Sequence, residues 1–167
     1  MRYELVAGDS RLAFAARSSV HPIAVEVGEV RGHLDAEVDG EVIVVAPGAR
    51  LEVDLAGIRS GNPLVDRETR RRLDLRRHPT LVAELSDARP LDAGVLACRG
   101  QVTFQGRTHP VTGELHVGRE PDGTLHLEGR REVDVRRWGL QPPRLLVLRV
   151  EPEVTVQLRL LARPADT

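Results

Sequence analysis

Apolar and polar residues alternate with a period of two along most of the chain. Leu51-Glu52-Val53-Asp54-Leu55 shows the pattern most clearly, and Val154, Val156, Leu158 and Leu160 repeat it between Thr155, Gln157 and Arg159. A period of two places one set of side chains on one face of an extended segment, so these stretches predict half-buried strands. Leu12 and Phe14 share a face of Ser10–Arg17, as do Leu81, Ala83 and Leu85 of Thr80–Leu85. Leu96, Cys98, Gly100, Val102 and Phe104 form the corresponding set of Val95–Phe104. Further strands are predicted at Tyr3–Ala7, Pro22–Val30, His33–Val38 and Glu41–Ala46, divided by Gly8-Asp9, Asp39-Gly40, Pro47-Gly48 and Asp92-Ala93-Gly94.

A hairpin with Pro121-Asp122 at its tip would set Val117 against Leu125 and Leu115 against Leu127, with His116 facing His126 on the other side. Two imidazoles are an incomplete ligand set, so solvent-facing histidines are favoured over a metal site. Glu132–Val135 and Leu145–Leu161 read as the last strands, the second too long to stay straight and breaking at Glu151-Pro152.

The alternation stops between Gly57 and Pro79. Arg, Leu and Glu dominate there, Asn62 is a good N-cap, and Pro63 suits a first turn, which together predict one short crossover helix near residues 62–75. Leu64, Thr69, Leu73 and Leu75 are its apolar contacts. Arg67, Arg70, Arg71, Arg72, Arg76 and Arg77 crowd the rest, so the helix must lie on or cap something. One-faced antiparallel strands can close into a barrel or stack as a sandwich, and the pattern leaves these close to even.

The 167 residues suit one domain, 1–167, large enough for a real core, and a formal charge of -1 argues against a generally basic nucleic-acid binder. Cys98 is the single cysteine, so no internal disulfide is expected. The first residues lack an apolar run of signal-peptide length and no stretch suits a membrane helix, so a soluble, cytoplasmic protein is expected. Aromatic residues make up only 2%.

Catalysis finds little support. Ser10, Ser18, Ser19, Ser60 and Ser86 lie outside any Gly-x-Ser-x-Gly elbow, and inward-facing Cys98 reads as a small apolar filler. His21, His33, His78 and His109 show no metal-ligand spacing, and no glycine-rich loop is built for phosphate. No enzyme activity, cofactor or metal is therefore expected.

Several short motifs in order carry a resemblance: Tyr3-x-Leu5, Ser10-x-Leu12-x-Phe14, Gly32-x-Leu34 with Gly40, Ile58-x-Ser60 with Asp66 and Arg70, and His78-Pro79-Thr80-Leu81. Gly100-x-Val102-Thr103-x-x-Gly106-x-Thr108-x-x-Val111, Trp138-Gly139-Leu140 and Val154-x-Val156 follow. Together they resemble the signature of the YceI-like family over nearly the whole chain. The resemblance implies an eight-stranded antiparallel, lipocalin-like barrel around an elongated apolar cavity, which binds polyisoprenoid or related lipids, often dimerises, and has no established catalytic residues. The chain departs from the family pattern at Leu34, Ala83 and Leu73-Asp74-Leu75, where aromatics are usual, and at Val135 and Arg137, where the family has Arg and an acidic residue. Aliphatic groups in place of rings leave either a wider cavity or a tighter, collapsed barrel.

The expected inward set is Phe14, Leu34, Leu51, Val53, Leu55, Ala83, Leu85, Val102, Phe104, Leu127, Val156 and Leu158, with Trp138 and Leu140 completing the ligand-binding lining. Arg59, Arg67 and Arg70 are the expected head-group contacts. Three functions follow as alternatives: a carrier of an isoprenoid or similar lipid, an electrostatic binder of anionic partners through Arg67–His78, or a filled barrel acting as an interaction protein. The carrier is favoured, as a possible homodimer, with neither nucleic acid nor integral membrane association expected.

Overall fold

The computed structural model describes residues 1–141, 144–145 and 148–166. Among the described residues twelve strands succeed one another: β1 Arg2–Leu5, β2 Arg11–Ser18, β3 Ile23–Glu26, β4 Val30–Asp39, β5 Val42–Val45, β6 Arg50–Asp54, β7 Thr80–Asp92, β8 Val95–Phe104, β9 Arg107–Arg119, β10 Leu125–Asp134, β11 Arg144–Leu145 and β12 Leu148–Pro164. The helix α1, Pro63–Arg72, follows β6, and short 3-10 turns cover Leu55–Gly57 and Val135–Trp138.

The strands close into an eight-membered antiparallel barrel. One edge of β12 pairs with β10, while its other edge pairs first with β2 and then, at Ala162–Pro164, with β1. β1 and β2 thus share one place in the ring, interrupted at Gly8-Asp9, and β3 and β4 share the next. The predicted break at Glu151-Pro152 is a bulge, where the β12–β2 register shifts between Val150 and Val154.

Three expectations need correction. The strand predicted as Pro22–Val30 divides at Gly28, whose added Cβ would stand 3.2 Å from the Asp54 carbonyl oxygen, and its last residue opens β4 instead. Glu132–Asp134 belongs to the long strand β10, with Val135 already in the following turn. The hairpin register is two residues from the expected one: Leu127 faces Val117 and Gly129 faces Leu115, so His116 opposes Glu128 and His126 opposes Gly118. Gly123, at φ +90°, donates to the Glu120 carbonyl, and Asp122 accepts from the Thr124 amide at 2.9 Å, which moves the tip one residue along the chain. A two-residue slip keeps every side chain on its face, so the apolar face survives while the His–His pair does not. His126 Nε2 lies instead 2.8 Å from Glu120 Oε1.

Helix α1 starts where Asn62 predicts. Its side-chain oxygen accepts from the Leu64 and Val65 amides at 3.0 and 3.4 Å. Asp66 ties the helix to the preceding loop by accepting from the amide and hydroxyl of Ser60 at 2.8 and 2.7 Å. Val65 and Leu73 are buried beneath the helix, whereas Leu64, read as a contact residue, is 59% exposed.

The barrel is solid at one end. There Tyr3, Leu34, Ala36, Leu96, Val117, Leu125, Leu127, Leu160 and Ala162 are buried, and the β4–β5 hairpin adds Ile43 and Val45 to the same core. Helix α1 and Trp138 lie at the opposite end, near the β8–β9 turn: Gln105 accepts from the Asp74 amide at 2.7 Å, and Trp138 is bonded to Val102.

Candidate functional site

Between the packed end and the helix the barrel holds a cavity of about 400 Å³. That volume falls in the roughly 300–1,000 Å³ range of small-molecule sites. Its origin is a layer of small residues at inward positions: Ala16 on β2, Ala83 on β7, Cys98 and Gly100 on β8, Gly113 on β9 and Gly129 on β10. Strands fix the spacing between their backbones, so small inward side chains leave space that neighbours cannot collapse to fill. Gly100 and Gly129 are further held by close approach, since a Cβ would stand 2.6 Å from the Glu84 carbonyl oxygen and 2.7 Å from Leu115 Cδ2, respectively.

The walls are almost entirely apolar. Phe14, Leu51, Leu85, Val102, Phe104, Val156 and Leu158 face the cavity around its middle, with Leu34 and Leu127 toward the packed end. Leu55, Ile58 and Trp138 stand toward the helix end, where Val65 and Thr69 of α1 and Leu73 just past its end complete the wall, and Leu140 also borders the space. Val53 stands apart. It is fully buried between its cross-strand neighbours Val30 and Leu81 and lies outside the cavity wall.

Trp138 is fixed from three sides. Its indole N–H donates to the Val102 carbonyl at 3.0 Å, His109 meets its ring edge-on with centroids 5.5 Å apart, and the Arg137 guanidinium lies 5.3 Å from its centroid. Asp134 starts the turn by accepting from the Arg136 amide at 2.9 Å, and Gly139 ends it at φ +80°. The Arg136 guanidinium holds the Asp134 carboxyl below its ordinary range. Burial, with Asp87 nearby, pushes the Cys98 thiol up to about 11, so the group is protonated and poorly nucleophilic at neutral pH.

The arginines singled out from the sequence stand outside the cavity wall. Arg59 is paired with Glu26 at 3.7 Å, and Arg70 donates to the Ile58 carbonyl at 2.8 Å. Arg71 and Arg72 share Glu68, and Arg77 approaches Asp74. Arg67 has no ion-pair or hydrogen-bond partner among the described residues and borders a shallow outer groove with Pro63, Asp66, Arg70 and Arg71.

Sequence reading missed one part of the site. The β9–β10 ladder ends at Leu115 and Gly129, although β9 begins at Arg107 and β10 runs to Asp134. Beside this split Thr112, Gly113, Glu114, Arg130 and Arg131 all border the cavity. The available signal was Arg131, a cation in the inward series Leu127, Gly129, Arg131, Val133. Among the described residues no three His, Cys, Asp or Glu side chains gather as a metal site, and no helix is long and apolar enough to cross a membrane.

The fold has clear relatives among solved structures. BcnA of Burkholderia cenocepacia superposes with a TM-score of 0.77 at 14% identity, covering 92% of this chain and 96% of that one. A polyisoprenoid binding domain from Saccharophagus degradans, implicated in plant cell wall breakdown, gives 0.77 at 15% identity and covers 98% of both chains. The YCEI protein of Campylobacter jejuni gives 0.68 at 10% identity over 85% of each. No curated protein matches the sequence. At these identities the structural likeness speaks for the fold, while the sequence itself matches the YceI-like domain over residues 3–162. The chain therefore belongs to the YceI-like family.

Proposed function

We propose that this protein binds and carries a long apolar chain, an isoprenoid or a similar lipid, with its tail in the barrel, and that it acts by binding rather than by catalysis. The observation that carries this reading is the apolar cavity of about 400 Å³, hollowed by Ala16, Ala83, Gly100, Gly113 and Gly129 at inward positions. Family membership and the polyisoprenoid-binding neighbour support the same ligand class. Each buried methylene contributes about 0.8 kcal/mol, so around ten supply about 8 kcal/mol, comparable with the several kcal/mol lost on association. Affinity then grows with chain length until the cavity is full.

The filled-barrel alternative is disfavoured by that cavity. The electrostatic alternative is weakened by pairing, since Arg70, Arg71, Arg72 and Arg77 already have protein partners. Arg59 and Arg70 are engaged in the same way and Arg67 stands outside the cavity wall, so none of the three is favoured as a head-group contact. The test is titration with isoprenoid alcohols of increasing length, read by the emission of Trp138, the single tryptophan, which borders the cavity. Saturable binding that tightens with length is expected; no binding of any chain, by emission or by calorimetry, refutes the carrier.

A further inference from the structure

The split between β9 and β10 has the features of a window. Its upper corner is the last ladder pair, Leu115 with Gly129. Its lower corner is closed by the Val135–Trp138 turn, where Arg137 Nη2 donates to the Pro110 carbonyl at 3.1 Å and Trp138 meets His109. Between these corners the facing edges of the two strands have no ladder partner among the described residues. Outward Thr112, Glu114 and Arg130 border the cavity here, beside inward Gly113 and Arg131. Outward His33, Arg50 and Glu84 border it too, but across the continuous β4–β6 and β6–β7 ladders, so the missing ladder is what marks the window.

Arg131 is the unusual member. It stands opposite Val156 on the inward face of β10, in a series that is otherwise apolar, and yet it is exposed. Among the described residues it has neither an ion pair nor a hydrogen bond. A guanidinium at the edge of an apolar cavity is tolerated when its head reaches water or meets an anion. The window supplies the first, and a ligand head group would supply the second.

Resting on the carrier reading, we propose that the ligand is an apolar chain with a compact anionic head, a phosphate or carboxylate, and that this head stands in the β9–β10 window on Arg131. Arg130 adds a second positive charge at the rim. Glu114, on the opposite edge, is among the described residues the one acidic group of the window that also borders the cavity, and it disfavours any anion not also held by a tail. The requirement for both parts distinguishes a lipid head group from free phosphate. Inorganic phosphate meets two exposed arginines and one carboxylate at this rim, too little to bind alone, whereas a tail buried in the cavity brings the head to Arg131 at high effective concentration.

The test compares farnesol with farnesyl monophosphate on the full chain, using the parent, Arg131→Gln, Arg131→Lys and Arg67→Gln. Arg131→Gln should weaken the phosphate about tenfold, the scale of one hydrogen bond to a charged group, and change the alcohol by less than about twofold. Arg131→Lys should recover most of the loss, Arg67→Gln should leave both ligands unchanged, and the preference for phosphate should shrink at high salt. Inorganic phosphate should not compete. If the alcohol binds and Arg131→Gln leaves the phosphate preference intact, or if Arg67→Gln abolishes it, the window assignment is wrong while the carrier stands. Competition by inorganic phosphate alone would likewise overturn a site that depends on the tail. If neither farnesyl compound binds the parent protein, both readings fall.

Discussion

Ala83 sits at the middle of the hollow layer, in register with Leu51 on one neighbouring strand and Val102 on the other, with its side chain toward the cavity. Ala83→Trp therefore sends an indole into space that a ligand tail would need. An aromatic side chain covers roughly 150–250 Å². At about 25 cal/mol per Å², a tail shut out of contact with that area loses about 4–6 kcal/mol, or roughly three to four decades in Kd. The same ring enters a cavity of about 400 Å³ rather than a packed core. Its stability cost should accordingly lie below the ~1–3 kcal/mol typical of overpacking. The assay is titration with farnesol by calorimetry, beside circular dichroism and a denaturant curve to establish that the variant is folded. A folded Ala83→Trp protein that binds as tightly as the parent would refute the placement of the tail, whatever else binds the lipid.

Four further outcomes follow. Gly32→Ala should cost at least about 2 kcal/mol and lower Tm by roughly 4–8 °C, because at φ +155° its Cβ would lie 2.0 Å from the Arg50 carbonyl oxygen. Gly113→Ala, which meets nothing within 4 Å, should instead be neutral or stabilising by about 0.5 kcal/mol in the same melting experiment. Cys98, with its thiol pushed up to about 11, should alkylate a few hundredfold more slowly than free cysteine at neutral pH. Its rate should keep rising with pH beyond the point where free cysteine levels off, and bound ligand should protect it. In acid, Asp35, Asp122 and Asp134 are held below the ordinary carboxylate value by Arg2, the Thr124 amide and Arg136, respectively. A carboxyl whose folded value is depressed stabilises the protein above its unfolded value and loses that contribution as pH falls through the folded one. Denaturant midpoints should therefore be flat from neutral pH to about 5 and decline below about 4, modestly because none of the three groups is buried.

The fold was legible because a half-buried strand leaves a period-two trace, and Leu51, Val53 and Leu55 or Val154, Val156 and Leu158 carry it without interruption. Asn62-Pro63 announced the helix for the same local reason, a cap whose hydrogen bonds lie within three residues. What failed was what local pattern does not contain. Apolar alternation is indifferent to a slip of two, so the β9–β10 register depended on the left-handed Gly123 and could not be read from Leu115, Val117, Leu125 and Leu127. Val53 shares its alternation with Leu51, but whether an inward residue meets a neighbour or a void depends on what stands across the barrel, and Val30 and Leu81 enclose Val53. The small residues Ala83, Gly100, Gly113 and Gly129 mark the hollow only once the strands are known to form one ring. The window is a tertiary feature in the strict sense. It arises where two strands part, and Arg131 marks it only when its inward position is known.

A lipid site inside the barrel should keep its ligand through a gentle purification. Native mass spectrometry of the protein purified from cells without detergent, before and after organic extraction, tests it most directly. A bound species of lipid mass is expected that is lost on extraction, returns on incubation with an isoprenoid alcohol, and is missing from Ala83→Trp. A parent protein that flies only at its polypeptide mass, and still does so after incubation with saturating lipid, would contradict it.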